Sequence, residues 1–175
     1  MRQEKINYIQ AVVTEIRKYF QLKDFLSRED LTNLVEKLEG SLEFQFDLDV
    51  DAKIERIDKN FKITIKPSNL ALRDNFSIAH ELGHLFLHMG YLIDNNMWMN
   101  SKLRYDRFGY SQEEFEANEF AGNLLMQEHL FIKEFRNNYD SKQQVVNLKK
   151  MSKIFNVSPK AIEARAKNIG LIKQC

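Results

Sequence analysis

The chain of 175 residues is 43% hydrophobic and 29% charged, which predicts one globular domain with a substantial core. No apolar run approaches the roughly 20 residues that span a lipid bilayer, and the first residues lack the apolar core of a signal peptide. Cys175 is the only cysteine, so no internal disulfide can form. These features argue against a membrane-spanning or disulfide-stabilised protein and predict a cytoplasmic location.

Charge is unevenly distributed along the chain. Residues 1–140 carry 18 basic and 24 acidic side chains, whereas residues 141–175 carry 8 basic side chains and 1 acidic one. A segment this basic can face nucleic acid or an acidic partner, or it can fold back onto the acidic remainder of the chain.

Two amphipathic helices are predicted at the beginning of the chain. Apolar residues recur at steps of three and four from about residue 3 to 21, and again between Ser27 and Gly40. Ser27 followed by Asp30 predicts an N-terminal cap for the second helix, and Gly40 is placed to end that helix.

A small antiparallel sheet is predicted for residues 42–66. Hydrophobic and polar residues alternate over 42–50 and 61–65, the period of a strand with one buried face, and 54–57 is a weaker strand signal. We expect Phe61–Lys66 to be an exposed edge strand that can pair with an extended peptide. An internal strand without substrate contact is the alternative.

The most specific motif is the run His80-Glu81-x-x-His84 on a predicted helix whose other sides are apolar. Helical spacing places the two imidazoles one turn apart on one face, where both can bind a metal ion, and Glu81 can hold the water bound to that ion. Two ordinary core histidines are the less favoured alternative. The position of the third histidine of a metzincin is occupied by Gly90, so a third ligand must come from elsewhere.

The region between His88 and Ser111 has no apolar periodicity, which is consistent with a lid or a substrate-facing loop, but aromatic residues such as those found here more often serve local packing than recognition. Five of its side chains are candidate donors to the oxyanion of a tetrahedral intermediate, and the sequence does not choose among them. They are His88, Arg104, Tyr105, Arg107 and Tyr110.

A long helix is predicted from Ser111, and it offers three carboxylates as the third ligand. Glu114 shares a stripe with Asn118, Glu113 is a competitor, and Glu116 is expected to be solvated. Small residues in both helices predict a close approach between them; these are Gly83, Ala117, Ala121 and Gly122.

The basic C-terminal segment contains two short apolar stripes, the first beginning at Val145, separated by a turn at 156–159. A pair of helices joined in this way, with a basic surface, is also typical of a DNA-binding unit. In that less favoured hypothesis, the DNA contacts would come from Lys149, Lys150, Lys153 and Arg165.

Two segments, Phe76–His88 and Glu114–Met126, resemble the ImmA/IrrE family of zinc metallopeptidases, a gluzincin type with two histidines and one glutamate as ligands. The resemblance runs from about residue 61 to residue 171. It implies that His80, His84 and Glu114 bind zinc, that Glu81 is the general base, and that Asn118 orients a ligand histidine. Gln127 and Asn75 depart from the family pattern, where proline and a basic residue are usual.

The resemblance and the predicted elements together imply an α+β fold. It would be a mainly helical zincin-like domain with a small antiparallel sheet beside the HExxH helix and a C-terminal helix-turn-helix-like pair. The expected single domain comprises N-terminal helices (1–40), the sheet (42–66), metal-binding helices (70–137) and the basic helical segment (141–175).

The activity implied by the resemblance is that of a zinc-dependent endopeptidase. Its expected substrate is a helix-turn-helix repressor of a prophage or integrative mobile element, whose cleavage would derepress the element's genes. Mn²⁺ and Fe²⁺ also suit this ligand set. A DNA-binding transcription regulator and a non-catalytic, metal-stabilised interaction module are the alternatives.

Overall fold

The computed structural model describes residues 3–68, 71–106 and 111–173. Two helices begin the chain, α1 (Gln3–Tyr19) and α2 (Arg28–Lys37). The predicted cap of α2 is present as a capping box, because the Asp30 backbone N–H donates to the Ser27 hydroxyl and the Asp30 carboxylate accepts from the Ser27 N–H. Helix α2 ends just before Gly40: Glu39 takes the left-handed conformation (φ 60°), and the Gly40 N–H donates to the Val35 carbonyl oxygen at 3.0 Å.

Four strands form the main sheet, in the order β1-β3-β2-β4. They are β1 (Ser41–Phe44), β2 (Ala52–Ile57), β3 (Asn60–Ile65) and β4 (Arg104–Asp106). The strands β2 and β3 form an antiparallel hairpin, whereas β1 runs parallel to β3. The sheet is therefore mixed rather than antiparallel, because the chain crosses over between β1 and β2 and returns to place β3 next to β1.

The prediction that Phe61–Lys66 is an edge strand was wrong. Strand β3 pairs with β1 on one side and β2 on the other, and Phe61, Ile63 and Ile65 are buried. The edges of the sheet are β1 and β4. Strand β1 is also shorter than the predicted 42–50, since Phe44 and Phe46 are exposed and the acidic residues that follow favour a turn.

The centre of the fold is a pair of helices, α3 (Ala71–Leu87) and α5 (Gln112–Leu125). Helix α3 packs against β2 and β3 on one side and against α5 on another. Between them the chain forms the short helix α4 (Asn95–Asn100) and strand β4, and Trp98 of α4 is buried edge-to-face against Tyr91. Much of the predicted loop is therefore ordered by local aromatic packing.

After helix α6 (Glu128–Asn137), the strands β5 (Tyr139–Asp140) and β6 (Val145–Val146) form a small hairpin. The predicted C-terminal helical pair follows as α7 (Leu148–Phe155) and α8 (Pro159–Asn168). Val145 belongs to the hairpin and not to the first of these helices, because the Asn147 side chain caps α7. The α+β, mainly helical fold class is confirmed.

Arg165 connects the C-terminal pair to the centre of the fold. Its guanidinium is buried and donates to Glu119 Oε1 at 3.2 Å, to Asn123 Oδ1 at 2.9 Å and to the Met126 carbonyl oxygen at 3.2 Å. A buried charge with these partners holds α8 against α5.

Among the helices in the described ranges, none combines the length and apolar character needed to cross a lipid bilayer.

The approach of α3 to α5 depends on Gly83. A Cβ atom at this position would lie 2.9 Å from Ala117 Cα and 3.1 Å from the Ala117 carbonyl oxygen, both of them backbone atoms of α5. A Cβ at Gly122 would meet only the Arg165 side chain, at 3.7 Å. The small residues therefore act differently: Gly83 is required by close packing, and Gly122 is not.

We expect Gly83→Ala to lower the free energy of unfolding by about 1–3 kcal/mol, because the backbone of α5 must move away from the added methyl group. Gly122→Ala is the matched control, and it should stabilise the protein by roughly 0.5–1 kcal/mol through its higher helix propensity. Urea unfolding of both variants measures the difference. A Gly83→Ala protein as stable as the parent would contradict this account of the helix pair.

Candidate metal centre

Three side chains meet where α3 faces α5. His80 Nε2 lies 3.1 Å from His84 Nε2 and 3.2 Å from Glu114 Oε2, and His84 Nε2 lies 3.1 Å from Glu114 Oε1. All three residues are buried. The histidines come from one helix by the i, i+4 spacing, whereas Glu114 is brought to them by the packing of α5.

These three residues could hold a metal ion, since their donor atoms have the spacing that an ion requires. Zinc binds nitrogen and oxygen ligands about 2.0–2.1 Å away in a tetrahedron, which separates the ligand atoms by about 3.3 Å. The observed separations of 3.1 to 3.2 Å match that value. Two imidazole nitrogens and a carboxylate also suit zinc and its first-row neighbours chemically.

The electrostatics of the cluster favour an ionised carboxylate. Burial raises the pKa of Glu114, but its hydrogen bonds with His80 and His84 outweigh burial and lower the pKa to about 2. Glu114 is therefore negatively charged at neutral pH and suited to bind a cation.

The second ring nitrogen of His80 has a partner on α5. His80 Nδ1 lies 3.0 Å from Asn118 Oδ1. Since the amide oxygen only accepts hydrogen bonds, Nδ1 carries a proton, and a ring that gives up its Nε2 proton to bind a metal then presents the Nε2 lone pair to that ion. The contact expected for Asn118, orienting a histidine, is thus present in the structure.

The two competing carboxylates of α5 are directed away from the cluster. Glu113 lies at the surface, 3.4 Å from Lys102 Nζ. Glu116 is buried, contrary to the expectation that it is solvated, and its carboxylate contacts His88 Nε2 at 3.2 Å and Lys5 Nζ at 3.1 Å. Burial raises the pKa of Glu116, but hydrogen bonds to Gln112, Lys5 and His88 lower it overall.

His88 is placed differently from the predicted oxyanion donor. Its Nδ1 lies 2.9 Å from His84 Nδ1, and its Nε2 contacts Glu116, so both ring nitrogens are engaged inside the protein. Burial and the nearby His84 lower its pKa, which favours a neutral ring. This placement argues against a contact with substrate and makes His88 a neighbour of a candidate ligand.

Of the two other candidate donors within the described residues, Tyr105 and Arg104, Tyr105 lies beside the cluster. Its ring stacks on His84 with centroids 5.0 Å apart, and its hydroxyl donates to the His88 carbonyl oxygen at 3.4 Å. Arg104 is directed to Asp106, 2.6 Å away. Tyr110 and Arg107 lie outside the described residues. The sequence carries no periodic signal for Tyr105, because β4 has only three residues.

Glu81, the predicted general base, is fully buried on α3 between the two histidines in sequence. The geometry thus brings together two imidazoles and an ionised carboxylate, and Glu81 is a buried neighbour of His80 in sequence.

The protein-family model Peptidase_M78, described as the IrrE N-terminal-like domain, matches residues 47–167. The chain belongs to this family. No curated protein matches the chain significantly. The match contains α3 and α5, and thus every residue of the donor cluster, and it begins after α1 and α2.

Both departures from the IrrE-like pattern have structural roles. Asn75 is buried, accepts from Arg28 Nε at 2.6 Å and donates to the Asn156 carbonyl oxygen at 2.9 Å, so it joins α2 and α3 to the end of α7. The Gln127 side chain, with its amide oxygen facing the guanidinium, accepts from Arg17 Nη2 at 2.8 Å. Neither residue touches the donor cluster.

We expect Glu114→Ala to weaken Zn²⁺ binding by more than about 100-fold, beyond the cost typical of changes outside the ligand set. Glu113→Ala should bind Zn²⁺ as the parent does, because its carboxylate faces Lys102. Competition titration with a chromophoric chelator measures both affinities. A parent-like affinity in Glu114→Ala, or a comparable loss in Glu113→Ala, would contradict the assignment.

Proposed function

We propose that this IrrE-like protein is a zinc-dependent endopeptidase. His80, His84 and Glu114 hold the ion, and Glu81 is the general base. The observation that supports this proposal best is the convergence of three donor atoms at 3.1 to 3.2 Å, with Asn118 on α5 holding His80 by Nδ1 so that Nε2 faces the other two donors. The peptidase family of the chain supports the same chemistry.

Bound zinc would polarise the scissile carbonyl and lower the pKa of a water toward about 7. Glu81 takes the proton of the attacking water and delivers it to the departing amide nitrogen. Asn118 keeps the His80 ring in one orientation throughout. Burial of Glu81 and of both histidines keeps bulk water from these groups.

An extended segment of the substrate pairs with β4. This strand is an edge of the sheet, with β2 on one side only, and its Tyr105 stacks on His84. It therefore takes the role that the sequence predicted for Phe61–Lys66. An added strand gains main-chain hydrogen bonds and brings its peptide bond toward the metal ligands.

Main-chain pairing can be tested with peptides derived from a cleaved substrate. N-methylation of backbone amides removes N–H donors without changing the side chains, so we expect at least one methylated position near the scissile bond to weaken binding about tenfold, close to the loss of one well-formed hydrogen bond. The measurement compares the inhibition constants of the N-methylated peptides with those of the unmodified peptides. Uniformly unchanged constants would exclude binding by strand addition.

For the substrate, we propose a helix-turn-helix repressor of a prophage or integrative element, cleaved in the cytoplasm to release gene expression. This part of the proposal rests on the likeness of the sequence to ImmA/IrrE proteins, and both the repressor and the cellular location stay predictions.

The decisive variant is Glu81→Gln. It should retain Zn²⁺ and the fold but cleave a repressor encoded beside this gene about 10²- to 10⁴-fold more slowly, the usual contribution of general acid–base catalysis. Zinc content and the rate of appearance of fragments are measured together. Cleavage at the parent's rate would show that Glu81 is not the base.

DNA binding is the second candidate function, because Lys149, Lys150 and Lys153 are exposed on α7 and no ion pair is found for them in the part of the chain that the structure describes. Arg165 cannot join them, since it is buried against Glu119. Steeply salt-dependent DNA binding that is lost when the three lysines are neutralised, without any cleavage activity, would favour this candidate. Partner binding without cleavage by the parent would favour a non-catalytic module.

A further inference from the structure

A chain of four side chains leads from the candidate metal centre to the surface of the protein. His84 Nδ1 lies 2.9 Å from His88 Nδ1, His88 Nε2 lies 3.2 Å from Glu116 Oε2, and that oxygen lies 3.1 Å from Lys5 Nζ. His84 lies on α3 and His88 directly follows that helix, whereas Glu116 lies on α5 and Lys5 on α1. The Lys5 side chain is 35% exposed, so the outer end of the chain is accessible to solvent.

When a metal occupies the site, the hydrogen bonds from His84 through His88 to Glu116 can be donated in one direction only, outward from His84. His84 binds metal with the lone pair of Nε2, so its Nδ1 must carry the proton and donate to His88 Nδ1. His88 Nε2 then carries the other proton and donates to Glu116. The ring of His84 is thereby held in the orientation and tautomer that a metal ligand needs.

At the outer end of this series of contacts, three hydrogen-bond donors keep Glu116 ionised and in place. Its Oε1 accepts from Gln112 Nε2 at 2.9 Å, and its Oε2 accepts from Lys5 and His88. Because Glu116 is buried, an ionised carboxylate there needs such donors. Lys5 is the cation that balances it.

We propose that Lys5, Glu116 and His88 are positioning residues for His84, and that the docking of α1 through Lys5 therefore helps to set the metal affinity. This inference rests on the proposed zinc site. Lys5 lies outside residues 47–167, which match the family, so this contact comes from a segment beyond the matched region.

The experiment compares Zn²⁺ affinities of the full-length chain by competition with a chromophoric chelator. Glu116→Gln should weaken binding about 10- to 100-fold, the range found for partners of metal-bound histidines. Lys5→Met should weaken it about three- to fivefold, as expected for a half-exposed ion pair, and Lys5→Arg should restore the affinity to within about twofold of the parent. The double variant Lys5→Met/Glu116→Gln should bind Zn²⁺ no more weakly than Glu116→Gln alone, because both changes act on His84 through the same contacts.

Two matched controls separate positioning from general destabilisation. Glu113→Gln makes the same chemical change on the same helix, and Lys18→Met removes an exposed lysine from α1. Both should bind Zn²⁺ as the parent does. Affinity losses of equal size in the controls, or parent-like affinity in Lys5→Met and Glu116→Gln, would overturn the inference.

The outcomes also separate this inference from the zinc proposal. A parent protein that does not bind Zn²⁺ would reject the zinc site itself, whereas a parent that binds Zn²⁺ with unaffected positioning variants would reject only the role of the chain of contacts. Should Glu116→Gln fail to fold, the two Lys5 variants test the inference by themselves. A Zn²⁺ affinity that is reduced in Lys5→Met and restored in Lys5→Arg would show that a cation is required at this position.

Discussion

The candidate site depends on the close contact between α3 and α5. Two histidines on one helix provide only part of a metal site, and the third donor must come from a second helix at short range. Glycine at position 83 brings the backbone of α5 near enough for the short Glu114 side chain to reach both imidazoles. Bulkier residues at this contact would push the two helices apart.

Placing charge and imidazoles in a buried position is costly unless each polar atom has a partner. Here the partners are arranged around the two histidines in different ways. His80 is oriented by one amide, that of Asn118, whereas His84 is oriented by a second histidine backed by Glu116. The hydrogen bonds that lower the pKa of Glu114 to about 2 are made by the same rings, so the carboxylate and the imidazoles stabilise one another.

Segments far from the site in sequence also support it through buried charged groups. Lys5 of α1 contacts Glu116, and Arg165 of α8 contacts Glu119, so both terminal regions pack against α5. A charge in such a position needs a fixed partner. This explains why the basic C-terminal segment is divided between exposed lysines and an arginine that belongs to the core.

The sequence by itself determined the two N-terminal helices, the helix that carries the i, i+4 pair of histidines with its glutamate, and the long helix from Ser111 that offers the carboxylates, because these follow from local periodicity. The tertiary structure decided which carboxylate reaches the histidines, placed β3 inside the sheet with β4 at its edge, and buried Glu116 beside His88. Contacts of this kind join residues far apart in the chain. Lys5 and Glu116 show the reason: no spacing within a helix relates them, and only the packing of α1 against α5 brings them together.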